Sequence, residues 1–209
     1  MTRLPPALIA FATLATFGAA GLQAAAAPAA ADRAAAVSRA LLQIQRFPAQ
    51  SLHGVDQSYE ARDVIVDADG TEHVRFDRRY RGLRVIGGDL VVHSSANGVL
   101  REMSKTLDRP IALPAKASID ALGAQAIGLA ERAGYVPAGL PEQVVYAVSG
   151  TGELAYDVRA NGTQADGSLS ELHVIVSGLN GQVLDSWDGI EPATTVGTGN
   201  GKGFFNGTV

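Results

Sequence analysis

Residues 61–80, ARDVIVDADGTEHVRFDRRY, constrain the fold more than any other part of this chain. Apolar and polar side chains alternate on both sides of Asp69-Gly70, a period of two that suits a half-buried strand. Asp-Gly between two such runs is a strong short-range hairpin signal, because glycine accepts the left-handed turn conformation without strain. Val74, Phe76 and Tyr80 then share one face, and His73, Arg75, Asp77 and Arg79 the other. Arg78 breaks the pattern. It falls on the apolar face, where a guanidinium needs a carboxylate or a partner surface. Gly82 ends the strand. LRVIGGDLVVHSSANGVLREM continues the β-pattern, with Gly87-Gly88 as a bulge or bend and Asn97-Gly98 as a second tight turn.

Residues 73–90 hold five arginines, which raises the question of a nucleic-acid patch. The formal net charge of the chain is -4, and a nucleic-acid binder is normally basic on at least one face. The arginines mostly alternate outward from a strand and form no basic run. The expectation is strands facing solvent or a protein partner, with no nucleic acid.

Helical patterns flank this β-region. Asp32 to Phe47 places Ala34, Val37, Leu41 and Ile44 on one face, with Asp32 as N-cap and Pro48 as stop. Residues 108–118, DRPIALPAKAS, have two prolines and little periodicity and read as a linker. Ser118 would cap a second helix, with Ile119, Leu122, Ala126, Leu129 and Ala133 on one face, Asp120 in the first turn and Gly134 just past the end. Four short strands follow, near Gln143–Ser149, Glu153–Ala160, Ser170–Ser177 and Gln182–Trp187, the last two joined at Asn180-Gly181. The predicted fold class is α+β: two small domains, 32–108 and 118–190, each an antiparallel sheet with a packed helix.

The N-terminus reads as a secretory signal peptide over residues 1–26. Arg3 supplies positive charge, an apolar run too short and alanine-rich for a comfortable membrane span follows, and A-x-A-like cleavage options lie between Leu22 and Ala27. This implies a secreted chain, periplasmic or extracellular, with no stable membrane anchor once the signal is removed. The chain has no cysteine, so the exported fold uses no disulfide.

Catalytic chemistry has little support. His53, His73, His93 and His173 are scattered, and there is no H-E-x-x-H and no G-x-S-x-G. VDADG resembles a calcium loop only superficially, since its first and twelfth ligand positions would be Ile65 and Phe76. GTGNGKG fails the P-loop pattern, because Lys202 is followed by Gly203. Asn161-Gly162-Thr163 and Asn206-Gly207-Thr208 match a glycosylation sequon that arises often by chance. The residues present are expected to be non-catalytic and to hold no cofactor.

Residues 73–98, HVRFDRRYRGLRVIGGDLVVHSSANG, resemble the prosegment motif of thermolysin-like zinc metalloproteases, known as the fungalysin/thermolysin propeptide motif. The residues that carry the likeness are His73, Arg75, Phe76, Tyr80, Gly82, Leu83, Val85, Gly88 and Asp89, with the strand to His93 and the Asn97-Gly98 turn. ELAYDVRANG and ELHVIVSGLNGQVLDSWDGI are similar to the PepSY module that follows it in such precursors. Residues 192–209 are similar to the opening of the mature protease. The resemblance implies an intramolecular chaperone that also blocks the protease cleft until autoprocessing. Its partner would be the cognate catalytic domain in cis, which would carry zinc and calcium downstream of this segment. The cleavage and cleft-occupying segment would be Asp188, Gly189, Ile190, Glu191, Pro192, Ala193, Thr194, Thr195 and Val196. A free-standing secreted protease inhibitor and a cell-envelope binding module are the alternatives.

Overall fold

The computed structural model describes residues 30–113, 116–148, 150 and 152–190, and the backbone of residues 202–203 and 207–208. The expected signal peptide and residues 191–196 of the expected cleavage segment lie outside the described residues. The fold is α+β and dominated by sheet.

Helix α1 spans Ala30–Arg46 and a single turn, α2, spans Pro48–Ser51. Strands β1 (Gln57–Val66) and β2 (Glu72–Tyr80) form the expected hairpin, bulged between Ala61 and Asp63. The loop closes through Gly70 N to Asp67 O at 2.9 Å, with Gly70 at φ 80°. Strand β3 (Leu83–Ile86) then pairs with the end of β2, and β4 (Leu90–Ser94) with its beginning. Arg81 and Gly82 both have positive φ, so the β2–β3 connection is a two-residue turn of the type that matches strand twist. Strand β5 (Leu100–Lys105) pairs with β4.

Helix α3 (Ala121–Ala130) precedes β6 (Val136–Pro137), β7 (Glu142–Tyr146), β8 (Glu153–Thr163), β9 (Leu169–Ser177) and β10 (Val183–Asp188). Strands β7 to β10 form an antiparallel meander, and β6 adds to β8. Lys202–Gly203 (β11) pairs with Gly207–Thr208 (β12). Strand β3 pairs in parallel with β7, Val85 opposite Val145 and Ile86 opposite Tyr146, so one ten-stranded sheet runs through both halves of the chain.

Three apolar clusters lie on one face of this sheet. The first joins Ala36, Ala40 and Ile44 of α1 to Val64, Val74, Phe76, Leu90, Val92 and Met103. The third joins Ala124 of α3 to Tyr156, Val158, Leu172, Val174 and Val176. The second spans the junction: Tyr80 and Val85 meet Val145 and Ala147, closed over by Leu107 and Ile111. The segment expected to be a linker is therefore a strap at its start. Its apolar side chains at Ile111 and Leu113, with Leu107 just before it, have a core to enter, which proline content alone concealed.

Of the face expected for α1, Val37, Leu41 and Ile44 do meet the core and only Ala34 does not, whereas α3 is rotated from its expected face. Ala34 is exposed while Ala36 and Ala40 are buried, and Asp32 lies inside the first turn of α1. In α3 the sheet side carries Ala124 and Gly128, and Leu122 is 67% exposed. Small residues let the helix backbone approach the strands, and that close approach outweighs turning larger apolar side chains inward. Asp120, and not Ser118, is the N-cap: its Oδ1 accepts from Gly123 N at 2.8 Å.

Candidate functional site

The motif residues divide between the two sheet faces. Phe76, Tyr80, Val85 and Gly88 are buried and Leu83 half-buried, all on the helix-bearing side. His73, Arg75 and Asp89 line an open groove on the opposite side with Arg62, Val91 and His93. Gly82 occupies the exposed turn.

Arg78 anchors the first half. Fully buried, it donates to Ser51 O at 2.7 Å, Leu52 O at 3.1 Å, Gly88 O at 3.2 Å and Tyr59 Oη at 3.0 Å, and to the Gln57 side chain. Its guanidinium lies 5.0 Å from the Tyr59 ring centroid. The carboxylate or partner surface expected for it is replaced by neutral acceptors, and burial lowers its pKa. These bonds tie the α2 turn and the bend after β3 to β2. A Cβ at Gly88 would sit 2.7 Å from Val85 Cγ1 and 3.1 Å from Arg78 Cβ, so that bend leaves no room for a side chain.

The other arginines of the motif region pair mainly with carboxylates. Arg79 meets Glu60 at 2.7 Å, and Arg81 meets Asp56 at 2.9 Å. Arg84 bridges the halves: Nη2 reaches Glu142 Oε2 at 3.0 Å and Asp157 Oδ2 at 2.6 Å. The Asp157 side chain is 2% exposed and also binds His173 Nδ1 at 2.9 Å. His173 stacks on Trp187, ring centroids 4.9 Å apart and planes 7° from parallel. A guanidinium from β3 thus reaches through β8 and β9 to the last strand. Sequence reasoning missed this network, because its members are far apart in the chain and Arg84 looked like one more outward arginine.

The chain leaves the described sheet beside this network. Trp187 sits half-exposed on the sheet face with His173. Of the expected cleavage segment, Asp188, Gly189 and Ile190 are described. Asp188 accepts from Ser170 Oγ at 2.5 Å, Gln164 Nε2 at 2.9 Å, Glu171 N at 3.1 Å and Ile190 N at 3.0 Å. These donors, the Ser170 hydroxyl foremost, hold its carboxyl below the usual range. Gly189 N adds one more rung to β9, donating to Glu171 O at 2.7 Å. The segment therefore starts from a fixed point, with Ile190 exposed.

A second histidine site lies at the other end of the open face. His73 Nδ1 and His93 Nδ1 are 2.6 Å apart, and the outer nitrogens reach Asp67 at 2.9 Å and Ser104 at 3.1 Å. Among the described residues no group of three or more His, Cys, Asp or Glu could hold a metal ion. No described helix is long and apolar enough to cross a membrane.

Comparison with known proteins agrees with the motif. Residues 57–107, from β1 to just past β5, match the Fungalysin/Thermolysin Propeptide Motif. The chain is 36% identical over 155 residues to the transglutaminase-activating metalloprotease of Streptomyces mobaraensis, an alignment covering 71% of this chain and 20% of that protein. The chain thus spans about a fifth of the relative it matches. The Bacillus megaterium YpeB C-terminal domain aligns over 74% of this chain and 64% of its own, at 11% identity and TM-score 0.36. By the match over residues 57–107 and the metalloprotease relative, the chain carries the propeptide motif of the fungalysin/thermolysin proteases.

Proposed function

We propose that this chain is the prosegment of a secreted zinc metalloendopeptidase, acting as intramolecular chaperone and as cleft-blocking inhibitor until autoprocessing. The observation that carries the reading is the propeptide motif over residues 57–107. The two modules, 32–108 and 118–190, form the prosegment body, with residues 192–209 opening the catalytic domain. Export is through the signal peptide of residues 1–26.

The chemistry suits this role. A zinc protease exported in active form would hydrolyse its surroundings, so its site needs cover. A segment that lies extended across a cleft can add to a sheet edge through main-chain hydrogen bonds. Residues 188–196 suit that pose: they begin at the clamped Asp188 and contain no side chain larger than Ile190 or Glu191. In this reading zinc is held by the downstream catalytic domain, and this chain's part is binding and positioning.

The test supplies residues 32–191 in trans to the mature protease encoded downstream. The expected result is slowed peptide hydrolysis and a higher refolding yield of the denatured enzyme. Unchanged hydrolysis and unchanged yield at micromolar prosegment contradict the proposal.

A further inference from the structure

Two histidines face each other on the groove side of the propeptide-motif half. His73 of β2 and His93 of β4 are direct cross-strand partners, and their chain neighbours Val74 and Val92 are buried on the other face, which holds both strands in register. The ring centroids are 4.9 Å apart but the Nδ1 atoms only 2.6 Å, so the nitrogens converge while the rings splay. They do so on the wall of an open groove of about 640 Å³, and the His73 side chain is 28% exposed.

The outer nitrogens are anchored. His73 Nε2 lies 2.9 Å from Asp67 Oδ2, and His93 Nε2 lies 3.1 Å from Ser104 Oγ. An ionised carboxylate only accepts, so His73 carries its proton on Nε2 and turns a bare lone pair at Nδ1 toward His93. As the pair stands, His93 Nδ1–H donates into that lone pair and the Ser104 hydroxyl donates to His93 Nε2. A serine hydroxyl accepts as readily as it donates. Its rotation moves the His93 proton to Nε2, and both Nδ1 lone pairs then point at one spot with no side chain displaced.

We propose that His73 and His93 form a bidentate site for a divalent transition-metal ion of the copper type, with water from the groove filling its other positions. The inference is independent of the prosegment reading. A carboxylate behind a histidine, as Asp67 stands behind His73, is the usual support of a metal-bound imidazole, because it fixes the tautomer and raises ligand basicity. The spacing selects the geometry. With metal–nitrogen bonds of about 2.0–2.1 Å, two ligands at a tetrahedral angle stand about 3.3 Å apart, and two cis ligands of a tetragonal ion about 2.9 Å apart. A pair at 2.6 Å needs to open by only about 0.3 Å for the second arrangement, which is that of Cu(II) or Ni(II). Copper heads the affinity order of the first-row divalent ions.

The surrounding charges admit a cation. Arg62, Arg75 and Lys105 line the groove, but so do Asp63 and Asp89, while Asp67 bonds His73 and Glu102 stands opposite His93 on β5. Arg62 is itself shared between Asp77 at 3.7 Å and Asp89 at 3.8 Å. Two protein ligands fall short of the sets that hold structural or catalytic zinc, so the site is an exchangeable one on the surface.

The experiment titrates Cu(II) into the full chain, free of any affinity tag, near neutral pH, and records electron paramagnetic resonance with one copper per chain. The expected spectrum is tetragonal, with coupling to two imidazole nitrogens. The melting temperature should rise, because an ion bound across β2 and β4 stabilises the folded state. His73→Gln and His93→Gln should each weaken binding by about tenfold or more and abolish the rise, while His53→Gln and His173→Gln do neither. No stoichiometric binding at micromolar copper, coupling to a single nitrogen, or an affinity unchanged by replacing His73 or His93 overturns the proposal. Should a glutamine variant fail to fold, the nitrogen count in the native chain decides.

Discussion

Arg84 and Asp157 meet at 2.6 Å, although one belongs to β3 and the other to β8. Their contact, with the parallel pairing of β3 on β7, locks the propeptide-motif half to the half that carries the exit segment. Losing one partner leaves a nearly buried charge with less compensation than before. Arg84→Ala is expected to cost roughly 2 kcal/mol in urea unfolding, at the low end for broken buried pairs because Arg84 is itself partly exposed and His173 remains bonded to Asp157. Arg84→Ala and Asp157→Asn together should be non-additive by more than about 0.5 kcal/mol. Strict additivity would show that the pair is not coupled.

Arg78 makes a different prediction, because the acceptors it donates to are all neutral. Arg78→Lys keeps the charge but loses the planar fork that reaches Ser51, Leu52 and Gly88 at once. The expected loss is about 3 kcal/mol, from buried carbonyls left without donors. It would be read as a lower denaturation midpoint, and a shift near zero would contradict the anchoring role.

Phe76 tests the facing of β2. It is fully buried in the first cluster and edge-on to Tyr59, ring centroids 6.2 Å apart. Phe76→Ala should destabilise by roughly 3–5 kcal/mol. A near-neutral effect on unfolding would mean the strand's apolar side is not the core side.

Stability should also fall on mild acidification. Burial holds the His93 imidazole below its usual value, with the neighbouring His73 adding to the effect, and burial followed by Arg78 does the same for His53. A base with a depressed folded pKa binds fewer protons folded than unfolded. Its neutral form therefore contributes full stability above the unfolded value of about 6.5, and that contribution declines as pH drops below it. A plot of unfolding free energy against pH should slope upward between about pH 5 and 6.5, and His93→Gln should flatten it. An unchanged slope in His93→Gln would assign the effect elsewhere.

Much of the strand order could be read from residues 61–105, because a period of two and the Asp69-Gly70 and Asn97-Gly98 turns are local signals. The β7–β10 meander was legible for the same reason. The α1 face was legible through Val37, Leu41 and Ile44, but its small core residues and the α3 face were not. Ala36, Ala40, Ala124 and Gly128 are too small to dominate a hydrophobic pattern, yet their size is what lets the helices approach the sheet. The β3–β7 pairing and the Arg84–Asp157–His173 network were also illegible, since they join residues far apart in sequence and no alternation encodes a tertiary partner. At the exit, the sequence marked Asp188 to Val196 as one segment. The described structure adds the clamp on Asp188, built from Gln164, Ser170 and the Glu171 and Ile190 amides, which no spacing rule would reveal.

The prosegment account is tested most directly by N-terminal sequencing of the mature secreted enzyme. The account predicts a cut between Ile190 and Gly197, after the clamped Asp188, with Thr195–Val196 the favoured bond because thermolysin-like enzymes prefer an apolar residue just after the cut. A mature enzyme beginning upstream of Ser118, and so retaining α3 and strands β7 to β10, would contradict it.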